Sequence, residues 1–154
     1  WDYEIALNSN AQEANNVNKW NDTAPTSSYF TLGNGDAVNK DGDDYIAMLF
    51  ASVDGISKVG TYDGTGSSGL SVTTGFQPRF LLIKRTNAGS TNWNVYDSVR
   101  GFSSGNDSIL YLDTTQGEVT NTNMGEFTST GFTINETYND INHSSGKYIY
   151  YAHA

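Results

Sequence analysis

The sequence predicts an all-β protein folded as an antiparallel sandwich, and three observations carry that expectation. Aromatic residues reach 13% of the chain although the apolar share is only 36%, and they fall in short blocks between Gly, Asn, Ser, Thr and Asp. Several blocks alternate apolar with polar residues, the period of a strand that buries one face. Helical spacing is almost missing: only residues 11–16 hint at a helix, and their asparagines limit it to a single turn.

Taken in chain order, Tyr3 to Leu7, Tyr29 to Leu32 and Tyr45 to Ala51 read as the first strands. Residues 53–74 carry Gly55, Gly60, Gly64, Gly66 and Gly69 and read as a connecting segment, with a short strand at Val59 to Tyr62. Phe80 to Lys84 is an apolar block after Pro78, suited to a buried strand. Trp93 to Val99 alternates, and its mixed face fits a position near a sheet edge. Ser108 to Leu112 follows, then a hairpin from Phe127 to Ile134 turning about Thr130-Gly131. A Tyr-rich strand, Lys147 to His153, closes the chain, and Phe80, Leu82, Phe132, Ile134 and Ile149 are the expected core residues.

The chain also matches itself. Tyr45-Ile46-Ala47-Met48-Leu49-Phe50-Ala51 resembles Tyr148-Ile149-Tyr150-Tyr151-Ala152-His153-Ala154 at an offset of 103 residues. Phe30-Thr31-Leu32 matches Phe132-Thr133-Ile134 at 102, and Leu7-Asn8 matches Leu112-Asp113 at 105. Three matches in one order, drifting by loop-sized steps, are the signature of a repeat. Residues 1–52 then read as the back half of a unit, 53–74 as the connection, and 75–154 as a complete unit, all of which one continuous sandwich could also contain. The expectation is a piece of a longer tandem chain, with Tyr29 to Ala51 folded like Phe132 to Ala154.

Charge narrows the function. Eight basic against 17 acidic residues give a net charge of −9. Phosphate backbones and anionic membrane surfaces are repelled by that field, so no nucleic-acid or membrane partner is expected. No apolar run approaches the ~20 residues that a membrane-spanning helix needs. The absence of cysteine removes disulfides and thiolate metal sites.

At Gly75 to Lys84, Trp93 to Gly101, Phe127 to Ile134 and Tyr148 to Ala154, the chain resembles β-rich repeats of unassigned function in tail-fibre-like and other virion proteins of marine bacteriophages. Trp20 to Ser28 and Gly60 to Gly66 fit the same pattern, so the likeness spans nearly the whole chain, while His153 stands where a bulky aromatic is expected. The resemblance implies a jelly-roll or lectin-like sandwich at an extracellular virion surface, with copies of itself or other virion proteins as partners. It brings no catalytic residue. The function expected is that of a virion structural protein, in a fibre, appendage or surface decoration, rather than an enzyme. The rival is a carbohydrate-binding adhesin for a host surface glycan.

The chemistry that the residues themselves could support is thin. His143 and His153 are the only histidines available to a Ser-His-Asp arrangement, one in a polar turn and one in a terminal strand. Carboxylates such as Asp54, Asp63, Asp97, Glu118 and Glu126 cannot be paired across a cleft from sequence, as glycan hydrolysis would require. Asp36, Asn39, Asp41 and Asp43 form the densest set of oxygen ligands, and calcium is the one cofactor such a loop could take. Ala37 and Met48 break the EF-hand template, so a solvated hairpin loop is favoured. Gly60 to Gly66 lacks the helix and lysine of a phosphate loop. For sugar stacking the candidates are Trp20, in a polar loop, and Trp93 between Asn92 and Asn94, although plugging the ends of the sandwich is the favoured role for both tryptophans. Asn21, Asn106, Asn135 and Asn142 open glycosylation-type triplets, which an Asn- and Thr-rich chain produces by composition alone.

Overall fold

The computed structural model describes residues 2–103 and 105–154, which are almost entirely strand and loop. They form two compact units. The first holds the residues up to Ala6 with Glu13–Leu49, and the second holds Leu7–Gln12 with Phe50–Ala154.

The second unit is the antiparallel sandwich. Its strands are β3 (Ser57–Asp63), β4 (Leu70–Thr73), β5 (Phe80–Arg85), β6 (Asn94–Asp97), β7 (Asp107–Tyr111), β8 (Val119–Thr122), β9 (Gly125–Thr128), β10 (Gly131–Ile134) and β11 (Lys147–His153). A six-stranded sheet runs in the order β3-β11-β5-β6-β7-β8, and a three-stranded sheet in the order β4-β10-β9. All their pairings are antiparallel. One apolar core lies between them: Phe132 and Ile134 of β10 meet Leu81, Ile83, Tyr148 and Tyr150 of the larger sheet.

Aromatic geometry sets the core's shape. Tyr62 and Tyr148, a cross-strand pair, stack 4.8 Å apart, and Phe132 sits edge-on to Tyr150 at 5.4 Å. A Cβ at Gly60 would lie 2.6 Å from the Tyr150 ring, so this strand position needs glycine to let the aromatic pass. The hairpin β9–β10 pairs Thr128 with Gly131, which puts its turn at Ser129-Thr130, one residue from the expected place.

Several expectations change. Phe132 and Ile134 are buried as predicted, but Phe80, Leu82 and Ile149 are only half-buried and lie on the opposite face of the six-stranded sheet. The core side belongs to their neighbours Leu81, Ile83, Tyr148, Tyr150 and Ala152, which the register brings together. Both faces of β5 are apolar, and alternation cannot choose between two apolar faces. Residues 53–74 are not merely a connection, because β3 pairs along all of β11 and β4 along all of β10. Trp93 to Val99 is a strand only over Asn94–Asp97: the Asp97 side chain accepts the Val99 and Arg100 N–H groups, both at 2.9 Å, and turns the chain.

The first unit has little regular structure: β1 (Tyr3–Glu4) pairs with β2 (Ala14–Asn15), and two single-turn helices follow, α1 (Val17–Trp20) and α2 (Asp36–Asn39). Residues 11–16 therefore contribute a strand rather than a helix, and Asn16 caps α1 by accepting the Asn18 N–H. Tyr29 to Leu32 and Tyr45 to Ala51 are not strands. The expectation that Tyr29 to Ala51 folds like Phe132 to Ala154 is thus not met. The physical reason lies in pairing: β11 is hydrogen-bonded on both edges, by β3 and by β5, whereas Tyr45 to Ala51 has no ladder on either side.

Candidate functional sites

Two places on the molecule could carry function, a buried polar cluster in the sandwich and an apolar groove on the first unit. The cluster surrounds the loop between β5 and β6. Lys84 projects from β5 with no solvent exposure, and its Nζ donates to the Thr91 carbonyl at 2.5 Å and to Thr91 Oγ1 at 3.1 Å. The Asn92 N–H donates to Asp140 Oδ2 at 3.3 Å, and the Trp93 N–H to Asp113 Oδ1 at 3.0 Å. Burial pulls the Lys84 ammonium below its ordinary pKa, against the pull of Asp113 and Asp140. Burial likewise pushes the Asp140 carboxyl up, opposed by the Asn92 N–H and by Lys84. The three charges hold loop residues 91–93 in place, with Asp113 using one carboxylate oxygen for the Trp93 N–H while its buried Oδ2 has no hydrogen-bond partner among the described residues.

That packing decides the sugar candidates in this loop. Trp93 is 7% exposed and Asn94 is 1% exposed, with the Asn94 amide donating to the Asn92 carbonyl at 2.9 Å. A ring that plugs the sheet cannot offer its face to a sugar, so Trp93 and Asn94 are packed as structural residues while Asn92 stays part-exposed beside them. Trp20 differs: it is half-buried at the end of α1 and lines the groove of the first unit.

The acidic loop is closed by its own contacts. Asp36 opens α2, the Asn39 amide donates to the Gly33 carbonyl at 3.1 Å, and Lys40 pairs with Asp43 at 3.4 Å. Tyr45 completes the closure, its hydroxyl donating to the Asp36 carbonyl and accepting the Lys40 N–H. Asp41 is exposed. Among the described residues, no three His, Cys, Asp or Glu side chains converge. His143 Nδ1 lies 3.0 Å from Ser145 Oγ, an exposed contact within one turn, and His153 is exposed at the end of β11.

Sequence reasoning missed two polar residues. Asp107 has no exposure and accepts the Ser103 and Gly125 N–H groups at 2.7 and 2.9 Å, tying β7 to β9. Asn142, also unexposed, accepts the Thr65 N–H at 2.8 Å and donates to the Ser67 and Glu136 carbonyls. Each sits in a triplet read only as a glycosylation match, and Asn142 is closed to that chemistry in the folded state. No local pattern distinguishes such residues, because a nearby partner is joined in each case by distant ones, Gly125 for Asp107 and Thr65 and Ser67 for Asn142.

The groove on the first unit has a volume of about 750 Å³ and is lined mainly by apolar residues, among them Trp20, Pro25, Phe30, Leu32 and Tyr45. Its wall is the stretch Tyr45 to Leu49, in which Ile46 is 95% exposed, Met48 71% and Leu49 77%. Isolated exposed apolar residues are ordinary, but a run of them beside an apolar hollow makes this face a candidate interaction surface.

Compared with known proteins, residues 1–154 match the profile of one family, described as a domain of unknown function (DUF7483). No curated protein and no solved structure matches the chain.

Proposed function

We propose that this chain, which belongs to the DUF7483 family of domains of unknown function, is a structural module of a phage virion. It works in a fibre, an appendage or a surface decoration, by assembling with copies of itself or with other virion proteins and presenting polar loops outward at an extracellular surface. The observation that carries the assembly role is the exposed run Tyr45 to Leu49 beside its apolar groove, in a chain whose buried polar groups largely serve its own loops. An unpaired, uncharged stretch of this kind is an open template for a further strand. The resemblance of Gly75 to Lys84, Trp93 to Gly101 and Tyr148 to Ala154 to phage repeats supports the virion setting. A net charge of −9 keeps many copies soluble at close quarters.

Light scattering on the purified chain tests the assembly role. Concentration-dependent association is expected, and Ile46→Asp with Leu49→Asp should abolish it while leaving the sandwich folded. A monomer at all concentrations that also captures no virion protein would reject the proposal.

The adhesin remains the second reading, and one observation favours it: Trp20, Tyr3 and Tyr45 all line the groove, and aromatic faces suit sugar rings. The groove is poor in hydrogen-bonding side chains, which sugar selectivity requires. Binding on a glycan array that is lost with Trp20→Ala would favour the adhesin over the structural role.

A further inference from the structure

We infer that the groove of the first unit is an unfilled half of a sandwich core, and that its occupant is a polypeptide with the strand pattern of residues 53–105 of this chain. The inference rests on the assembly role and names the partner. Phe30 and Leu32 correspond to Phe132 and Ile134 at an offset of 102 residues, and Tyr45, Ala47 and Leu49 to Tyr148, Tyr150 and Ala152 at 103. All five of the first set line the groove, together with the intervening Thr31, Ile46 and Met48, whose counterparts Thr133, Ile149 and Tyr151 lie half-buried outside the core. All five of the second set are buried core residues of the sandwich. Two separate sequence matches thus converge on one surface in each unit, apolar in both and closed only in the second.

The sandwich shows what does the closing. Leu81 and Ile83 of β5, Tyr96 of β6 and Tyr62 of β3 pack against that core, while β3 and β5 hydrogen-bond the two edges of β11. All four side chains lie within residues 53–105. Among the described residues, the first unit's strands are the two-residue β1 and β2, so nothing equivalent closes its groove. An occupant of this pattern would supply side chains for the hollow and ladders for both edges of Tyr45 to Ala51.

Charge fits the same pairing. Residues 53–105 carry five basic and three acidic residues, whereas residues 13–49 carry two basic and six acidic. Residues 106–154, which residues 53–105 already accompany in the sandwich, carry one basic and six acidic. The occupant's polarity is therefore that of the arrangement the fold already uses.

The test is hydrogen exchange on the full chain carrying a second copy of residues 53–105, fused ahead of Trp1 through a flexible linker. Amides of residues 45–51 should exchange about 100-fold more slowly than in the unfused chain, as expected when an exposed segment joins a sheet. The same fusion with Leu81→Asp and Ile83→Asp in the added copy should give no protection. Unchanged exchange at residues 45–51 in the fusion would overturn the inference. So would protection that rises with concentration in the unfused chain and gains nothing from the added segment, which would make a second copy the occupant. Protection by the fusion in a chain that never associates would instead sustain this inference and reject the assembly role.

Discussion

Asn142 shows how much one side chain can hold at the residue scale. Its carbonyl oxygen receives the Thr65 N–H, and its amide reaches Ser67 and Glu136, so one buried group staples two loops that are distant in sequence. The Gly66 N–H adds a bond to the Asn142 backbone carbonyl at 3.1 Å. Asn142→Ala removes the partners of the Thr65 N–H and the Glu136 carbonyl, while the Ser67 carbonyl keeps the Thr65 hydroxyl, at a cost of about 1–2 kcal/mol. Urea denaturation should show that loss as a lower midpoint with an unchanged slope. Sequence places Asn142 in a turn and can go no further, since its importance comes from partners about 75 residues away.

At the scale of elements, the strands β5, β9, β10 and β11 were legible because turn residues bound short apolar blocks. Their phase was not. Phe80 and Leu82 are as apolar as Leu81 and Ile83, and only the pairing of Leu81 with Ala152 and Ile83 with Tyr150 decides which pair meets the core. Leu81→Ala should therefore cost about 2–5 kcal/mol through the cavity it opens. Phe80→Ala should cost less despite removing a larger side chain, because Phe80 lies half-buried on the other face. Thermal melts of the two variants would settle the phase, and the reverse order would invert it. The short β4 and β8, Leu70–Thr73 and Val119–Thr122, escaped notice because they offer a pattern search only two apolar residues and one, respectively.

For the whole molecule, tyrosine links stability to pH. Burial raises the pKa of Tyr62, Tyr96, Tyr111, Tyr148 and Tyr150 above the usual value of 10.0. Above that value the unfolded chain releases phenolic protons that the folded chain retains, so stability falls as pH rises. Below it both states are protonated and the contribution is constant. Absorbance at 295 nm should show the exposed tyrosines ionising first, Tyr111, Tyr148 and Tyr150 after them, and Tyr62 and Tyr96 last. Smooth titration of all ten tyrosines with the fold intact would contradict the burial of these rings. The fold class was legible at this scale because composition and turn spacing report it directly. The candidate sites were not: Trp93 and Asn94 read alike whether they cap a sheet or face a ligand, and the groove exists only where Phe30 and Tyr45 come together.

The antiparallel pairing of β3 with β11 sets Ser57 opposite His153, and the Ala154 N–H donates to the Ile56 carbonyl at 2.8 Å. The start of β3 and the end of β11 therefore lie side by side at one edge of their ladder. Tension applied along the chain would pull those two strands apart from the same end, breaking their ladder one rung after another instead of shearing all rungs together. Unzipping needs little force. Single-molecule pulling from residue 53 to residue 154 should open these two strands at low load.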